Sequence, residues 1–291
     1  MLYDLSLHMG FTYGAPASGA RHMIRVMPLT LPRRQRLIAG SLSISPAPDE
    51  QATHVDFFKH SATAILFRSP HSSLDIRMQA RVQVESDGIS ADFSPPLETL
   101  PNEIGACRSL DAEAPHHFLG PSPRLPEDCV IAAYARETTR PGQTIVQIAT
   151  ALCSRIHHDF AYDSNATDVD TSPGQAFMQK RGVCQDFSHI MITGLRSLGI
   201  PAGYVSGFLR TMPPPGQERL EGTDAMHAWV RVWCGEIIGW IELDPTNDMS
   251  ADVNHIVAAY GRDYSDVAPV IGVLKSYGGQ TVKQAVDVMP V

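Results

Sequence analysis

The chain has 291 residues, 43% of them hydrophobic and 19% charged, which is the composition of an ordinary globular protein with room for about two domains. A formal net charge of -8, without any run rich in Lys or Arg, argues against nucleic acid as the main partner. The longest apolar candidate, residues 267–274, is far shorter than the roughly 20 residues that cross a bilayer, so no membrane partner is predicted.

The N-terminal segment and the cysteines predict a cytoplasmic protein. No basic residue precedes Arg21 and no sustained apolar run follows Met1, so the segment does not resemble a secretory signal. An odd, sparse set of cysteines without a CxxC pair is typical of reduced thiols. The cysteines are Cys107, Cys129, Cys153, Cys184 and Cys234.

The chain contains no motif that indicates a metal or a cofactor. Twelve histidines are present, but none occurs in an HExxH motif or in the Cys/His spacing of a zinc finger. There is no glycine-rich phosphate loop of the P-loop or dinucleotide-binding kind. We therefore predict neither a metal nor a cofactor.

Residues 1–85 contain short segments of alternating apolar residues, separated by Gly, Pro and Ser, without a helical period. The segments cover residues 23–27, 35–45, 64–67 and 74–84. Their spacing predicts an all-β sandwich domain. Residues 86–126 are rich in Pro, Ser, Glu and Asp with few apolar runs, so they are predicted to form a linker.

Helices are predicted to begin after the linker, within a second domain covering residues 127–291. Pro126 stands at a first-turn position before an apolar stripe, and Pro141-Gly142 ends this first helix. Apolar residues from Ile145 to Ile156 recur with a helical period and predict a second helix. The C-terminal residues 281–288 alternate and predict a final strand.

A third predicted helix places Cys184 at or just before its first turn. Apolar residues recur at three- and four-residue intervals from Phe187 to Leu198, and Gly199 stands where a C-terminal cap requires positive φ. Unpaired backbone N–H groups and the positive end of the helix dipole favour a thiolate there. Cys184 is therefore a candidate nucleophile, although a cysteine considered alone is more often a small buried hydrophobe.

Two segments rich in Val, Ile and Trp, which contain His227 and Asp244, are predicted to form a β-hairpin. A two-residue type II′ loop at Gly235-Glu236 would set the register so that His227 lies directly opposite Asp244. In that non-hydrogen-bonded pair the side chains approach most closely, whereas a bulge near Gly239 would break the register. With Cys184 they would form a thiol triad, His227 taking the thiol proton and Asp244 orienting the imidazole.

These motifs resemble those of the transglutaminase-like cysteine enzymes of bacteria, which are similar in fold to papain-type proteases. The matching motifs, from about residue 145 to 247, are G-V-C-Q-D-F, D-A-M-H-A-W-V and G-W-I-E-L-D-P-T-N. The N-terminal region also resembles the β-domain that accompanies such cores. The resemblance implies an α+β papain-like catalytic domain preceded by the all-β sandwich, with Cys184 as nucleophile, His227 as base and Asp244 as the orienting acid.

Three further residues are predicted to support the site. The family has an aromatic residue upstream of the nucleophile that helps to bind the oxyanion, and by resemblance Tyr162 takes that role beside the backbone N–H of Cys184. A core-edge aromatic residue is the alternative for Tyr162. Gln185, next to the nucleophile, is assigned a supporting role. Trp229 could screen the His–Asp contact from water, or it could simply belong to the core.

The predicted reaction is acyl transfer through a thioester on Cys184. We favour hydrolysis of a peptide or isopeptide amide in a peptide or protein substrate. Two alternatives stay open: transfer of the acyl group to an amine, as in protein cross-linking by a transglutaminase, and a non-catalytic binding module on the same fold. The sequence does not indicate an oligomeric state.

Overall fold

The structure, a computed structural model, describes residues 1–85, 91–211 and 224–291. Within these ranges the strands, numbered in chain order, are β1 (Leu2–Ile24), β2 (Gln35–Ser45), β3 (Glu50–Val55), β4 (Ser61–Phe67), β5 (His71–Val84), β6 (Ala161–Tyr162), β7 (Arg181–Gly182), β8 (Ala202–Leu209), β9 (Ala225–Trp233), β10 (Trp240–Asp244), β11 (Met249–Ser250), β12 (His255–Gly261), β13 (Val270–Lys275) and β14 (Gln280–Pro290). The helices are α1 (Leu100–Ala106), α2 (Cys129–Glu137), α3 (Ile145–Asp159), α4 (Pro173–Gln179), α5 (Cys184–Ser197), α6 (Gly235–Ile238) and α7 (Tyr264–Val267), with a 3₁₀ turn at Pro115–Phe118.

The long strand β1 is the centre of a curled N-terminal sheet. Its first half pairs with β5 and β14, and its second half pairs with β4 and β13. Side chains in the first half alternate between buried and outward positions, with Tyr3, Leu5 and Leu7 buried, as the period of two in a strand requires. The predicted fold class, an all-β sandwich domain before a papain-like α+β domain, is confirmed as a class, with the N-terminal strands in one curled seven-stranded sheet. The alternation in residues 2–10 was visible in the sequence, but no strand was predicted there.

The last two strands correct the extent of the predicted catalytic domain, residues 127–291. Both β13 and β14 pair antiparallel with β1, so they complete the N-terminal sheet. Val286 and Val288 are buried there, opposite Leu7 and Leu5. The strand predicted at residues 281–288 is present, but alternation identifies a strand without identifying its partner.

Residues 91–126 pack against the second domain, although residues 86–126 were predicted to be a linker; residues 86–90 lie outside the described ranges. Leu100 in α1 and Phe118 in the 3₁₀ turn are fully buried. The backbone N–H of Ile145 donates to the Pro95 carbonyl, which ties the segment to the start of α3. The prolines of this segment therefore mark turns and a helix start.

The three predicted helices are present as α2, α3 and α5, although α2 begins at Cys129, so Pro126 lies before the helix and not in its first turn as predicted. The Asp128 side chain accepts two backbone N–H bonds at the start of α2, and Thr144 forms a capping box at the start of α3. Gly199, just beyond α5, has φ +78°. Among the described residues, no helix is both long enough and apolar enough to span a bilayer.

A five-stranded antiparallel sheet, in the order β11-β10-β9-β8-β12, forms the centre of the second domain. On one face, Val230 of β9 belongs to the same buried cluster as Phe187 of α5. On the other face, Trp229 of β9 packs with Leu29 from the N-terminal half. The sheet is thus covered by α5 on one side and by the N-terminal half on the other, which places the start of α5 next to β9.

Candidate active site

Cys184 is the first residue of α5, and a buried carboxylate fixes the turn that presents it. Asp186 Oδ2 accepts hydrogen bonds from the Val183 N–H at 2.8 Å and from the Thr167 hydroxyl at 2.6 Å. Gly182 lies so close that a Cβ at this position would be 2.5 Å from the same oxygen. The segment therefore forms one specific turn, which leaves the Cys184 side chain partly exposed at the helix start.

The hairpin that carries His227 and Asp244 differs from the predicted one. Its connection is one helical turn, α6, followed by Gly239 at φ +70°, where a two-residue type II′ loop was predicted. Trp233 pairs with Trp240, so the register is shifted by two residues from the prediction. Because side chains alternate with a period of two, the shift keeps His227 and Asp244 on one face and makes them diagonal neighbours.

The diagonal arrangement still brings the imidazole of His227 to the carboxylate of Asp244. His227 Nε2 lies 2.7 Å from Asp244 Oδ2, and the side chains are 8% and 0% exposed. Since a carboxylate only accepts, Nε2 is the donor and Nδ1 is left free to accept a proton. The Cys184 side chain is near enough to the same imidazole to contribute to the raised pKa of His227. The structure thus brings the three predicted residues together.

The surroundings of His227 favour its charged form. Burial opposes a charge on the ring, but hydrogen bonds to Asp244 and Cys184 outweigh burial and raise the pKa of His227 to about 10. Burial also opposes ionisation of Asp244, yet hydrogen bonds from His227 and His255 hold the pKa of that carboxyl well below its usual range. A proton that moves from the thiol to the imidazole would therefore be stabilised by a neighbouring carboxylate.

Asp244 has more hydrogen-bond donors around it than the sequence had predicted. Its Oδ1 accepts the backbone N–H groups of Thr246 and Asn247 at 2.9 and 3.2 Å. Its Oδ2 accepts the Asn247 side-chain amide at 2.6 Å and faces His255 Nε2 at 3.3 Å. The Asp-Pro-Thr-Asn run could have indicated the Thr246 contact, because Asp commonly accepts the backbone N–H group two residues on. His255 gave no local signal, since two strands separate β12 from β10 in the sheet.

Tyr162 and Gln185 both lie near the nucleophile, in different settings. Tyr162 is 61% exposed and pairs with Gly182, two residues before Cys184. Partial burial and the nearby Cys184 raise the pKa of Tyr162, so its hydroxyl keeps the proton that an oxyanion donor needs. The Gln185 amide donates to the Val169 carbonyl at 3.2 Å, which holds the preceding loop against the helix start.

Trp229 is fully buried and stacks on the ring of His227, with centroids 6.0 Å apart. Its indole N–H donates to the carboxylate of Glu242 on β10. Arg34, from the loop before β2, forms a bidentate ion pair with the same carboxylate, and the Tyr260 hydroxyl donates to it at 2.6 Å. A buried network therefore connects the N-terminal half to the strand that carries the carboxylate of the site.

We expect Arg34→Met to lower the free energy of unfolding by about 3 kcal/mol, because it leaves the buried Glu242 carboxylate without its cation. Arg81→Met is the matched control, since Arg81 forms the same bidentate pair with Asp4 while both side chains are about half exposed. That change should remove less than about 1 kcal/mol. Urea titrations of both variants measure the difference, and equal losses would contradict the prediction.

The Arg34 effect should decrease in acid. Burial opposes ionisation of Glu242, but the charge and hydrogen bonds of Arg34 outweigh burial and hold the pKa of Glu242 below its usual value. A lowered pKa gives stability that is present in full above the unfolded value, about 4.3, and is lost as pH falls through the folded value. The free energies of unfolding of wild type and Arg34→Met should therefore converge as pH is lowered below about 4.

His227, Asp244 and His255 are also the one group of described side chains whose ligand atoms lie close enough to suggest a metal ion, all within 4.8 Å. The sequence predicted no metal. Both histidine Nε2 atoms approach the same carboxylate oxygen, at 2.7 and 3.3 Å, which is the spacing of N–H···O hydrogen bonds. We interpret the group as a hydrogen-bonded cluster.

Comparison with known proteins matches the two halves of the chain separately. Residues 132–245 match a family model described as the transglutaminase-like superfamily, and residues 3–83 match one described as the bacterial transglutaminase-like N-terminal region. An uncharacterized protein of Mycobacterium tuberculosis is 35% identical over 271 residues, which cover 88% of this chain and 83% of that protein. One of Mycobacterium leprae is 29% identical over 286 residues, covering 96% and 95%.

Among solved structures, the chain is similar to a proposed cysteine protease from Cytophaga hutchinsonii. The TM-score is 0.74 at 21% sequence identity, and the alignment covers 99% of this chain and 90% of that chain. At this identity the similarity is one of fold, and it extends over both halves of the molecule.

Proposed function

Because the chain belongs to the transglutaminase-like superfamily, we propose that it is a cysteine-dependent hydrolase of peptide or isopeptide amide bonds in peptide or protein substrates. The family match supports a cysteine-dependent enzyme in general. The observation that carries the finer proposal is a partly exposed thiol at a helix start that interacts with a buried imidazole, which is itself hydrogen-bonded to a buried carboxylate. This is the arrangement that activates a thiol nucleophile.

In the proposed reaction the thiol proton of Cys184 moves to His227 Nδ1 and the sulfur attacks the amide carbon. The tetrahedral oxyanion lies near the backbone N–H of Cys184 and the Tyr162 hydroxyl, and each such donor is worth about 3 to 4 kcal/mol. His227 then protonates the leaving amine, and the carbon–nitrogen bond breaks to give a thioester. Water attacks the thioester and gives its proton to His227. The acid leaves as the thiol is restored, and Asp244 orients the imidazole throughout.

Transfer to an amine shares the first half of this reaction and differs in what attacks the thioester. Dimethylated casein, whose lysines are blocked, offers glutamine and peptide amides, and a fluorescent primary amine offers an alternative acceptor. We expect release of peptides or ammonia to outpace incorporation of the fluorescent amine. Both products should disappear in the Cys184→Ala protein, which is the control. Incorporation faster than hydrolysis would make the protein a transglutaminase, and a binding module would give neither product in a Cys184-dependent way.

A further inference from the structure

We propose that His255 is a positioning residue of this site, which holds the Oδ2 atom of Asp244 in place for His227; the inference rests on the proposed function. His255 is the first residue of β12, and its side chain is fully buried. Its Nε2 atom lies 3.3 Å from the oxygen that contacts His227 at 2.7 Å. Two imidazoles from different strands thus meet on one carboxylate oxygen.

The contacts of the other ring nitrogen, Nδ1, indicate which nitrogen of His255 carries the proton. The backbone N–H of Asp252 points at His255 Nδ1 from 3.1 Å, and a backbone N–H can only donate. A neutral ring that accepts this bond carries its proton on Nε2, and the Asp244 carboxylate facing Nε2 favours the same tautomer because it can only accept. If the ring is protonated, Nδ1 instead donates to Asp252 Oδ1, also at 3.1 Å, and Nε2 still carries a proton. Both forms of His255 donate to Asp244.

The ring of His255 is held by packing as well as by hydrogen bonds. Trp229 contacts it edge to face, with centroids 5.1 Å apart, and the ring of His227 lies 6.2 Å away. The backbone N–H of His255 donates to the Asp252 carbonyl at 3.0 Å. These contacts hold the ring of His255 in one orientation, so its N–H can define where the carboxylate oxygen lies.

The two oxygens of Asp244 are therefore held by different means. Oδ1 is bound to the backbone N–H groups of Thr246 and Asn247, which follow it in the chain. Oδ2, the oxygen that acts on His227, is also bound to the side chains of Asn247 and His255, and of these two only His255 belongs to another strand. Without that donor, Oδ2 keeps only the Asn247 amide besides His227, so the carboxylate is held from one side and its alignment with the imidazolium is weakened.

The test compares His255→Leu, which keeps the bulk and removes the donor, with His255→Gln, whose amide restores one. We expect kcat for casein hydrolysis to fall about tenfold to a hundredfold in the leucine variant, as for small misplacements of catalytic groups, with KM within about twofold. The acid limb of the pH profile for iodoacetamide alkylation of Cys184 should move to higher pH. The glutamine variant should return both values toward wild type. A leucine variant with the wild-type pH profile would overturn the proposal.

Alkylation of Cys184 can be measured without a substrate, so it tests the proposed function and the positioning role of His255 independently. If alkylation of Cys184 is insensitive to His227→Ala, the proposed function is wrong. If it is sensitive to His227→Ala but unchanged in His255→Leu, only the positioning role is wrong. Treatment of the wild type with EDTA should leave the alkylation rate unchanged, and a change would assign the three side chains to a metal site instead.

The wild-type protein provides a second test that does not depend on a variant folding. In protein labelled with ¹⁵N-histidine, long-range ¹H–¹⁵N correlation spectra distinguish the ring tautomers. We expect His255 to carry a proton on Nε2, as the Asp252 N–H contact requires. A neutral His255 with its proton on Nδ1 would place a lone pair against the carboxylate and would overturn the proposal.

Discussion

Replacing Cys184 with alanine should lower kcat for amide hydrolysis by about 10⁴-fold or more, because loss of a catalytic nucleophile removes the whole covalent pathway. The fold should be unaffected, since the side chain is partly exposed and the turn is held by Asp186. The measurement is peptide release from casein at saturating protein substrate, with circular dichroism as the check on folding. A folded variant that keeps more than about a hundredth of the wild-type rate would show that the sulfur is not the nucleophile.

Cys129 offers an internal control for what a helix start does by itself. It is the first residue of α2, as Cys184 is of α5, and it is exposed with Asp128 as its cap. A free cysteine is only a few per cent thiolate at pH 7, so full ionisation beside an imidazole would raise its reactivity roughly thirtyfold. Such a thiolate is less basic and therefore less nucleophilic, which reduces the expected increase in the alkylation rate. We expect iodoacetamide to modify Cys184 about tenfold faster than Cys129, and equal rates would assign the reactivity to the helix start alone.

Local signals were sufficient for the elements that present the nucleophile. The apolar stripe of α5 and the positive φ at Gly199 depend on neighbours within one or two turns. Such features can be predicted from sequence because the residues that determine them are adjacent in the chain. The carboxylate of Asp186 lies in the first turn of α5, which it fixes by accepting the backbone N–H of Val183.

The hairpin shows why a wrong local prediction still gave a correct contact. The type II′ loop at Gly235-Glu236 is replaced by a helical turn, and the register moves by two residues. A shift by one residue would have sent His227 and Asp244 to opposite faces, but a shift by two keeps them on the same face. The His–Asp contact therefore depended on the parity of the loop length, which the sequence pattern does constrain.

The contacts that support the site come from distant parts of the chain. Arg34 reaches Glu242 across 208 residues, and His255 reaches Asp244 from β12. No periodicity or spacing in the sequence links such pairs, since only the folded sheets bring them together. Glu242 and Asp244 occupy one face of β10, two residues apart, so the ion pair with Arg34 stabilises the same strand that carries the carboxylate of the site. The N-terminal half thus contributes to the support of the site.

Asp244→Asn should lower kcat by about 10³- to 10⁴-fold, because an amide cannot accept from every donor that surrounds this carboxylate. If the amide oxygen faces His227, the NH₂ group meets the backbone N–H groups of Thr246 and Asn247, which are also donors. If the amide is turned around, its NH₂ group donates to Nε2 of His227. The neutral imidazole then carries its proton on Nδ1, so this nitrogen can no longer accept the thiol proton. Either orientation also leaves buried donors unpaired, so the free energy of unfolding should fall by about 2 to 3 kcal/mol.

The control for this change is Asp248→Asn, the same substitution four residues away. Asp248 is exposed and has φ +51°, a conformation that asparagine adopts readily. We therefore expect little change in kcat for casein hydrolysis or in the free energy of unfolding. Casein hydrolysis gives the rates and urea titration gives the stabilities. The catalytic part of the effect can be separated from the structural part because alkylation of Cys184 should slow in Asp244→Asn even well below the denaturation midpoint. An Asp244→Asn protein that keeps a tenth of the wild-type kcat would show that this carboxylate stabilises the fold without orienting the imidazole.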